Sequence, residues 1–128
     1  MLRPIRPEEL PQILKWRNHP EVRRAMFNDH LISETEHRNW YANVNRDPSR
    51  RVLLFTYDNI AVGVSNYYQI DLNTSSCYWG FYLDPEAGES SAQRLKMWLT
   101  IQSESLAYAF HHLHCTTLRD ETFAFNHQ

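Results

Sequence analysis

Between Arg51 and Leu83 the chain carries three runs of strand-forming residues separated only by turn signals, and this block restricts the fold most. Arg51–Tyr57 is rich in β-branched and aromatic residues, Asp58-Asn59 is a turn, and Ile60–Ile70 is a second run interrupted at Gly63. Asp71–Ser75 is a further turn signal, and Ser76–Leu83 is a third run. Helical patterns stand on both sides of the block. A short strand is expected over Leu2–Ile5, and a last one over Thr117–Phe125. The order helix, helix, strands, helix, strand indicates an α/β (α+β) mixed sheet with helices on its faces.

The helices have readable ends. Pro7 starts the first, with Glu8 and Glu9 in the first turn complementing its dipole. Leu10, Ile13 and Leu14 form its apolar stripe. Arg17 falls on the same stripe, where a core helix would carry another aliphatic residue. A short second helix follows Pro20 and is expected to include Val22 and Met26. Ser33-Glu34-Thr35-Glu36 is a capping box, so a third helix begins there, with His37, Trp40, Tyr41 and Val44 on one face. Ser90 or Ser91 caps a long helix in which Leu95, Trp98, Leu99, Ile101, Leu106 and Phe110 read as core.

Bulk properties narrow the function. A length of 128 residues fits a single domain over 1–128. A net charge of −2 argues against generic nucleic-acid binding, which needs a basic footprint. Arginines nevertheless gather in the first half, so a local anionic ligand fits. Cys77 and Cys115 are too few for a disulfide framework and read as buried free thiols in a reducing compartment. The N-terminus lacks a signal-peptide pattern, and no apolar run approaches the ~18 residues of a membrane span. The expected location is cytoplasmic, without membrane association. His111, His112 and His114 lie too close in sequence to converge from a helix, so no metal site is expected.

The run Trp16-Arg17-Asn18-His19-Pro20 with Met26-Phe27, the block Ser33–His37, Gly63-Val64 and Tyr78-Trp79-Gly80-Phe81-Tyr82 together resemble a known family. They are similar, in order along almost the whole chain, to the N-acetyltransferases of pseudaminic acid biosynthesis in the GNAT superfamily. The resemblance implies acetyl transfer from acetyl-CoA to the 4-amino group of UDP-4-amino-4,6-dideoxy-N-acetyl-β-L-altrosamine, for flagellin or surface glycan modification. It implies that Ser76–Leu83 and Thr117–Phe125 are parallel neighbours that splay apart. Backbone groups freed there would pair with the pantetheine amides and stabilise the tetrahedral oxyanion.

The same resemblance assigns residues. Arg17, Met26, His37 and Tyr78 would surround the nucleotide of the sugar substrate. Phe81, Tyr82 and Leu83, with Gly88, Ser90, Ser91 and Ala92 at the long helix's tip, would hold the cofactor, pyrophosphate included. Asn126 would contact the CoA arm. Glu121 is the candidate for the proton path, and Asn66 stands at a polar catalytic position. The loop Glu86–Ala92 is poorer in glycine than the usual phosphate loop, and Glu89 brings a carboxylate to it. Family members continue with a helix, carrying a tyrosine that protonates the thiolate, and a further strand. The expectation here is therefore a GNAT fold lacking its last helix and strands, prone to self-association or completed by a partner along its C-terminal edge.

Two other readings stand beside this one. A protein N-terminal acetyltransferase of the ribosomal-protein type also begins with a helix and a W-R-N-like element. A non-catalytic remnant that binds CoA or a partner is the third. Taken singly, Arg17 could pair with Glu21 or snorkel to solvent, and Glu121 could be a solvated strand residue.

Overall fold

The computed structural model describes residues 1–25 and 30–119. Its strands are β1 (Leu2–Pro4), β2 (Arg51–Tyr57), β3 (Ile60–Asp71), β4 (Ser76–Leu83) and β5 (Thr117–Arg119). Its helices are α1 (Leu10–Asn18), α2 (Pro20–Arg23), α3 (Glu34–Arg46) and α4 (Ser91–His111). The sheet order is β1-β2-β3-β4-β5, antiparallel throughout except for the parallel pair β4–β5.

Local chemistry accounts for the connections. Asp58 and Asn59 sit at φ 51° and 65°, the left-handed pair that a tight two-residue hairpin requires and that Asn and Asp tolerate. Asp71 accepts the Asn73 N–H at 2.9 Å and so turns β3 into β4. A parallel neighbour needs a crossover, and α4 supplies it between β4 and β5. Ser33 and Glu36 form the expected capping box at the start of α3, and Ser90 caps α4.

Strand alternation divides the core into two sides. Val52, Leu54 and Val64 face α1 and α3, where they meet Ile5, Leu10, Ile13, Trp16 and Val44. Leu53, Tyr67 and Cys77 face the other way, beneath Ala109 and Leu113, as do Phe55 and Leu83 beneath Met97 and Ile101. Residues Val52 to Phe55 are therefore buried one after another, as in a central strand covered on both faces. Cys77 and Cys115 are buried free thiols.

Two core expectations change. In α1 the buried residues are Leu10, Ile13 and Trp16, and Leu14 is only half-buried. In α4 the sheet-facing residues are Met97, Ile101, Ser105 and Ala109. Leu95, Trp98, Leu99 and Phe110 stay 58%, 45%, 50% and 49% exposed, and Leu106 is half-buried. The reason is that α4 is apolar around most of its circumference, and its small residues let the axis approach the large Tyr67. There the Tyr67 hydroxyl donates to the Ser105 carbonyl at 2.6 Å, and the Ser65 and Ser105 hydroxyls pair at 2.8 Å. Among the described residues no helix is long and apolar enough to cross a membrane.

Candidate active site

The segment Trp16-Arg17-Asn18-His19 divides its work by side chain. Trp16 is 3% exposed and anchors the end of α1 in the core. Asn18 grips the backbone of Ile32 on both sides: its Nδ2 donates to the Ile32 carbonyl at 2.9 Å, and its Oδ1 accepts the Ile32 N–H at 2.8 Å. His19 Nδ1 accepts the Glu21 N–H at 3.1 Å and caps α2. Arg17 is left to face inward between α1 and the sheet.

There it lines a cavity of about 310 Å³ together with Ile32, Glu36, His37, Trp40, Val64, Asn66 and Tyr82. Val64 and Asn66 of β3 and Tyr82 of β4 project to one sheet face by alternation, and α1 and α3 supply the roof. His37 and Trp40 lie three residues apart on α3 with their rings stacked, centroids 5.0 Å apart and planes 18° from parallel. Burial, and then the positive charge of Arg17, hold the His37 imidazole below its ordinary value. It is therefore neutral at neutral pH. Burial raises the Tyr82 hydroxyl above the ordinary phenol range, opposed by Arg17. The cavity thus combines a guanidinium, a neutral imidazole, a protonated phenol and a flat aromatic wall.

The floor has an open place. Asn66 pairs across the strands with Gly80, and a Cβ at Gly80 would meet nothing within 4 Å among the described residues. Asn66 Oδ1 is buried, and among the described residues it receives no hydrogen bond.

On the other side of β4 stands the tip of α4. Described pairing between β4 and β5 runs from Ser76↔Thr117 to Tyr78↔Arg119, and β4 continues to Leu83. The turn that follows is held by Arg94, whose Nη1 donates to the carbonyls of Asp84 at 2.8 Å and Ala87 at 3.0 Å. Gly88 takes φ 92° there, a conformation that favours glycine. The Gln93 side chain takes the Glu89 N–H at 2.6 Å, and the Ser90 hydroxyl takes the Gln93 N–H at 3.1 Å. By helix geometry the N–H groups of Ser91 and Ala92 remain directed outward, ready for an anion. The side chains of Phe81 and Leu83 pack towards α4, so any contact they make with a cofactor beside β4 falls to their backbone.

Of the residues singled out by sequence, Arg17, His37, Asn66 and Tyr82 meet in one cavity. Tyr78 stacks on Tyr68, centroids 5.4 Å apart, and lines a separate, open groove of about 1040 Å³ with Arg119 and His112. Met26, Glu121 and Asn126 lie outside the described residues. Sequence reasoning missed Trp40 and Ile32 as cavity walls. The three-residue spacing from His37 to Trp40 was the available signal for the first. The Asn18 clamp that delivers Ile32 leaves none.

A mixed sheet with one parallel pair, a helix tip beside that pair and a cationic cavity across β4 define a small α/β domain of the acyltransferase type. The acetyltransferase (GNAT) domain family matches residues 1–128. The acetyltransferase PseH of Campylobacter jejuni subsp. jejuni serotype O:2 is 30% identical over 121 residues, covering 94% of this chain and 71% of that protein. The chain belongs to the GNAT acetyltransferase family and is an N-acetyltransferase. The crystal structure of Campylobacter jejuni N-acetyltransferase PseH superposes with a TM-score of 0.69 at 25% identity, covering 99% of this chain and 78% of that one. A spermidine N-acetyltransferase from Vibrio cholerae, in complex with CoA and spermine, shares the fold with a TM-score of 0.83 at 18% identity, covering 98% and 72%.

Proposed function

We propose that this protein transfers the acetyl group of acetyl-CoA to the 4-amino group of UDP-4-amino-4,6-dideoxy-N-acetyl-β-L-altrosamine, in the pathway to pseudaminic acid. The observation that carries this reading is the convergence of Arg17, His37, Trp40, Asn66 and Tyr82 on one cavity. A nucleotide sugar offers what these groups recognise: phosphate or uracil oxygens for Arg17, and a flat base for an aromatic wall. Similarity to an acetyltransferase named PseH supports a place in the same pathway. A PseH structure solved with acetyl coenzyme A supports the donor.

The residues give each step a physical basis. The donor lies along β4 with its pyrophosphate at the Ser91 and Ala92 N–H groups, although the Glu89 carboxylate close by weakens that site. The neutral amine attacks the thioester carbonyl carbon, and the C–N bond forms as the carbonyl becomes an oxyanion. A backbone N–H of β4 stabilises that charge. The proton released by the amine passes to Glu121 directly or through water. Collapse of the oxyanion breaks the C–S bond, and the thiolate leaves to take a proton. Arg17 stays charged and His37 neutral throughout, so the cavity keeps one fixed cation for the nucleotide. A nucleotide-activated sugar as acceptor implies a cytoplasmic protein.

Thermal-shift and calorimetric titration test this. UDP is expected to stabilise the protein, and Arg17→Met to weaken UDP binding roughly tenfold to a hundredfold, in the range of a lost charge-assisted contact. Peptide amines should not stabilise it. Stabilisation by a peptide amine but not by UDP overturns the nucleotide-sugar reading.

A further inference from the structure

Asn66 lines the cavity with a polar atom that no described residue answers. It lies on β3 between Ser65, which faces α4 and pairs with Ser105, and Tyr67, which donates to the Ser105 carbonyl. Both neighbours are buried and satisfied. Asn66 alone points to the α1–α3 side, where its Oδ1 is buried and receives no hydrogen bond among the described residues. A buried amide oxygen that gains no donor from the protein is costly to the folded state. Such an atom is explained when a ligand supplies the missing donor.

The surroundings say what kind of donor fits. The cross-strand partner is Gly80, and a Cβ there would meet none of the described residues within 4 Å. A ligand group can therefore reach Asn66 over the bare backbone of β4. A carboxamide oxygen accepts from N–H or O–H, carries no charge, and cannot take a proton at neutral pH. It is thus unsuited to act as the base and suited to fix the direction of an N–H.

We infer that Asn66 is a positioning residue whose Oδ1 accepts a hydrogen bond from the acceptor's amine N–H, aiming its lone pair at the donor beside β4. This rests on the proposed function for the placement of donor and acceptor. The register supplies the reason for choosing the reacting amine: Asn66 is opposite the middle of β4, the strand along which the thioester is proposed to lie. Holding one N–H in the ground state orients the other bonds of the nitrogen and raises the fraction of bound acceptor in an attacking geometry.

The experiment compares wild type, Asn66→Leu and Asn66→Asp in two ways. Without ligand, Asn66→Leu removes an unsatisfied polar atom at similar volume, so its melting temperature should equal or exceed that of wild type. In steady state with acetyl-CoA and the UDP-amino sugar, Asn66→Leu should lose at least tenfold in kcat/KM for the sugar, with the KM for acetyl-CoA and the Kd for UDP unchanged. Asn66→Asp, which keeps an acceptor oxygen at the same place, should recover part of that loss. A clear drop in the ligand-free melting temperature of Asn66→Leu, or unchanged kinetics for the acceptor, overturns the inference. Wild type that acetylates a polyamine or peptide amine instead removes only the nucleotide-sugar reading. The Asn66→Leu loss is then read with that amine on the same criterion.

Discussion

Two glycines on neighbouring strands should respond to the same substitution with opposite signs. Gly63 lies in β3, paired with Phe55 on one side and Leu83 on the other. A Cβ there would stand 2.7 Å from the Tyr82 carbonyl oxygen, 3.1 Å from Leu83 Cδ2 and 3.2 Å from Ile101 Cδ1. A comfortable carbon–oxygen contact is about 3.3 Å or more, so the methyl is about 0.6 Å too close to a backbone atom. Relief requires β3 and β4 to part, and forced overpacking of this kind costs about 1–3 kcal/mol. Reduced freedom of the unfolded chain offsets about 0.5–1 kcal/mol. Gly63→Ala should therefore lose about 1–2 kcal/mol, lowering Tm by roughly 4–8 °C in a domain of this size. Gly80→Ala meets no atom of the described residues within 4 Å and has no positive φ to relieve. It keeps the unfolded-state gain and should raise Tm by about 2–4 °C. Its methyl, however, occupies the open floor beside Asn66, so the acceptor KM should rise while the KM for acetyl-CoA holds. Parallel thermal and urea melts followed by circular dichroism read both variants. Equal destabilisation of the two, or a Gly63→Ala protein as stable as wild type, refutes the steric reasoning.

Other predictions concern groups the two core layers bury. His37 binds its proton less readily in the folded protein than at its usual value of 6.5, chiefly because it is buried. Its contribution to stability is complete above that value and declines as pH falls through it towards the folded pKa, where the unfolded state takes up the proton first. His37→Gln should flatten the urea-melt dependence between neutral and mildly acid pH, in a window above that of the lowered carboxyls Glu9 and Asp47; an unchanged slope removes this account. Ser65→Ala and Ser105→Ala should each cost about 1 kcal/mol by stranding a partner, while the double variant costs clearly less than their sum. A strictly additive cycle contradicts a coupled hydroxyl pair. Burial pushes the Cys77 thiol up to about 12, so a disulfide reagent at pH 8 should label it only on unfolding. Rapid labelling of the native protein would show that the strand is open.

Much of this architecture was written locally. The capping box at Ser33, the hairpin at Asp58-Asn59 and the serine at the tip of α4 are each satisfied within a few residues, so sequence exposes them. The orientation of α4 was not legible, because a helix with Leu95, Trp98 and Leu99 on one side and Met97 and Ile101 on another offers two apolar stripes. What decides between them is the sheet beneath, where Tyr67 demands small partners such as Ser105 and Ala109. The site divides in the same way. Arg17 announced itself by interrupting an aliphatic stripe, and His37 and Tyr82 entered through the resemblance of their segments. Trp40 read as ordinary core because a stacked aromatic on a buried helix face has the same pattern whether or not it borders a cavity. Tyr78 occupies the same strand as Tyr82 but lies beyond Gly80, where its partner is Tyr68. Spacing alone could not reveal that separation.

The double hydrogen bond from Asn18 to Ile32 has an architectural consequence. It fastens the last residue of α1 to Ile32, just before the Ser33 cap of α3, so the entry to α3 is set from α1. Asn18→Ala, by removing both contacts, should loosen Ile32 from the cavity wall, and binding in the cavity should weaken before the fold is lost.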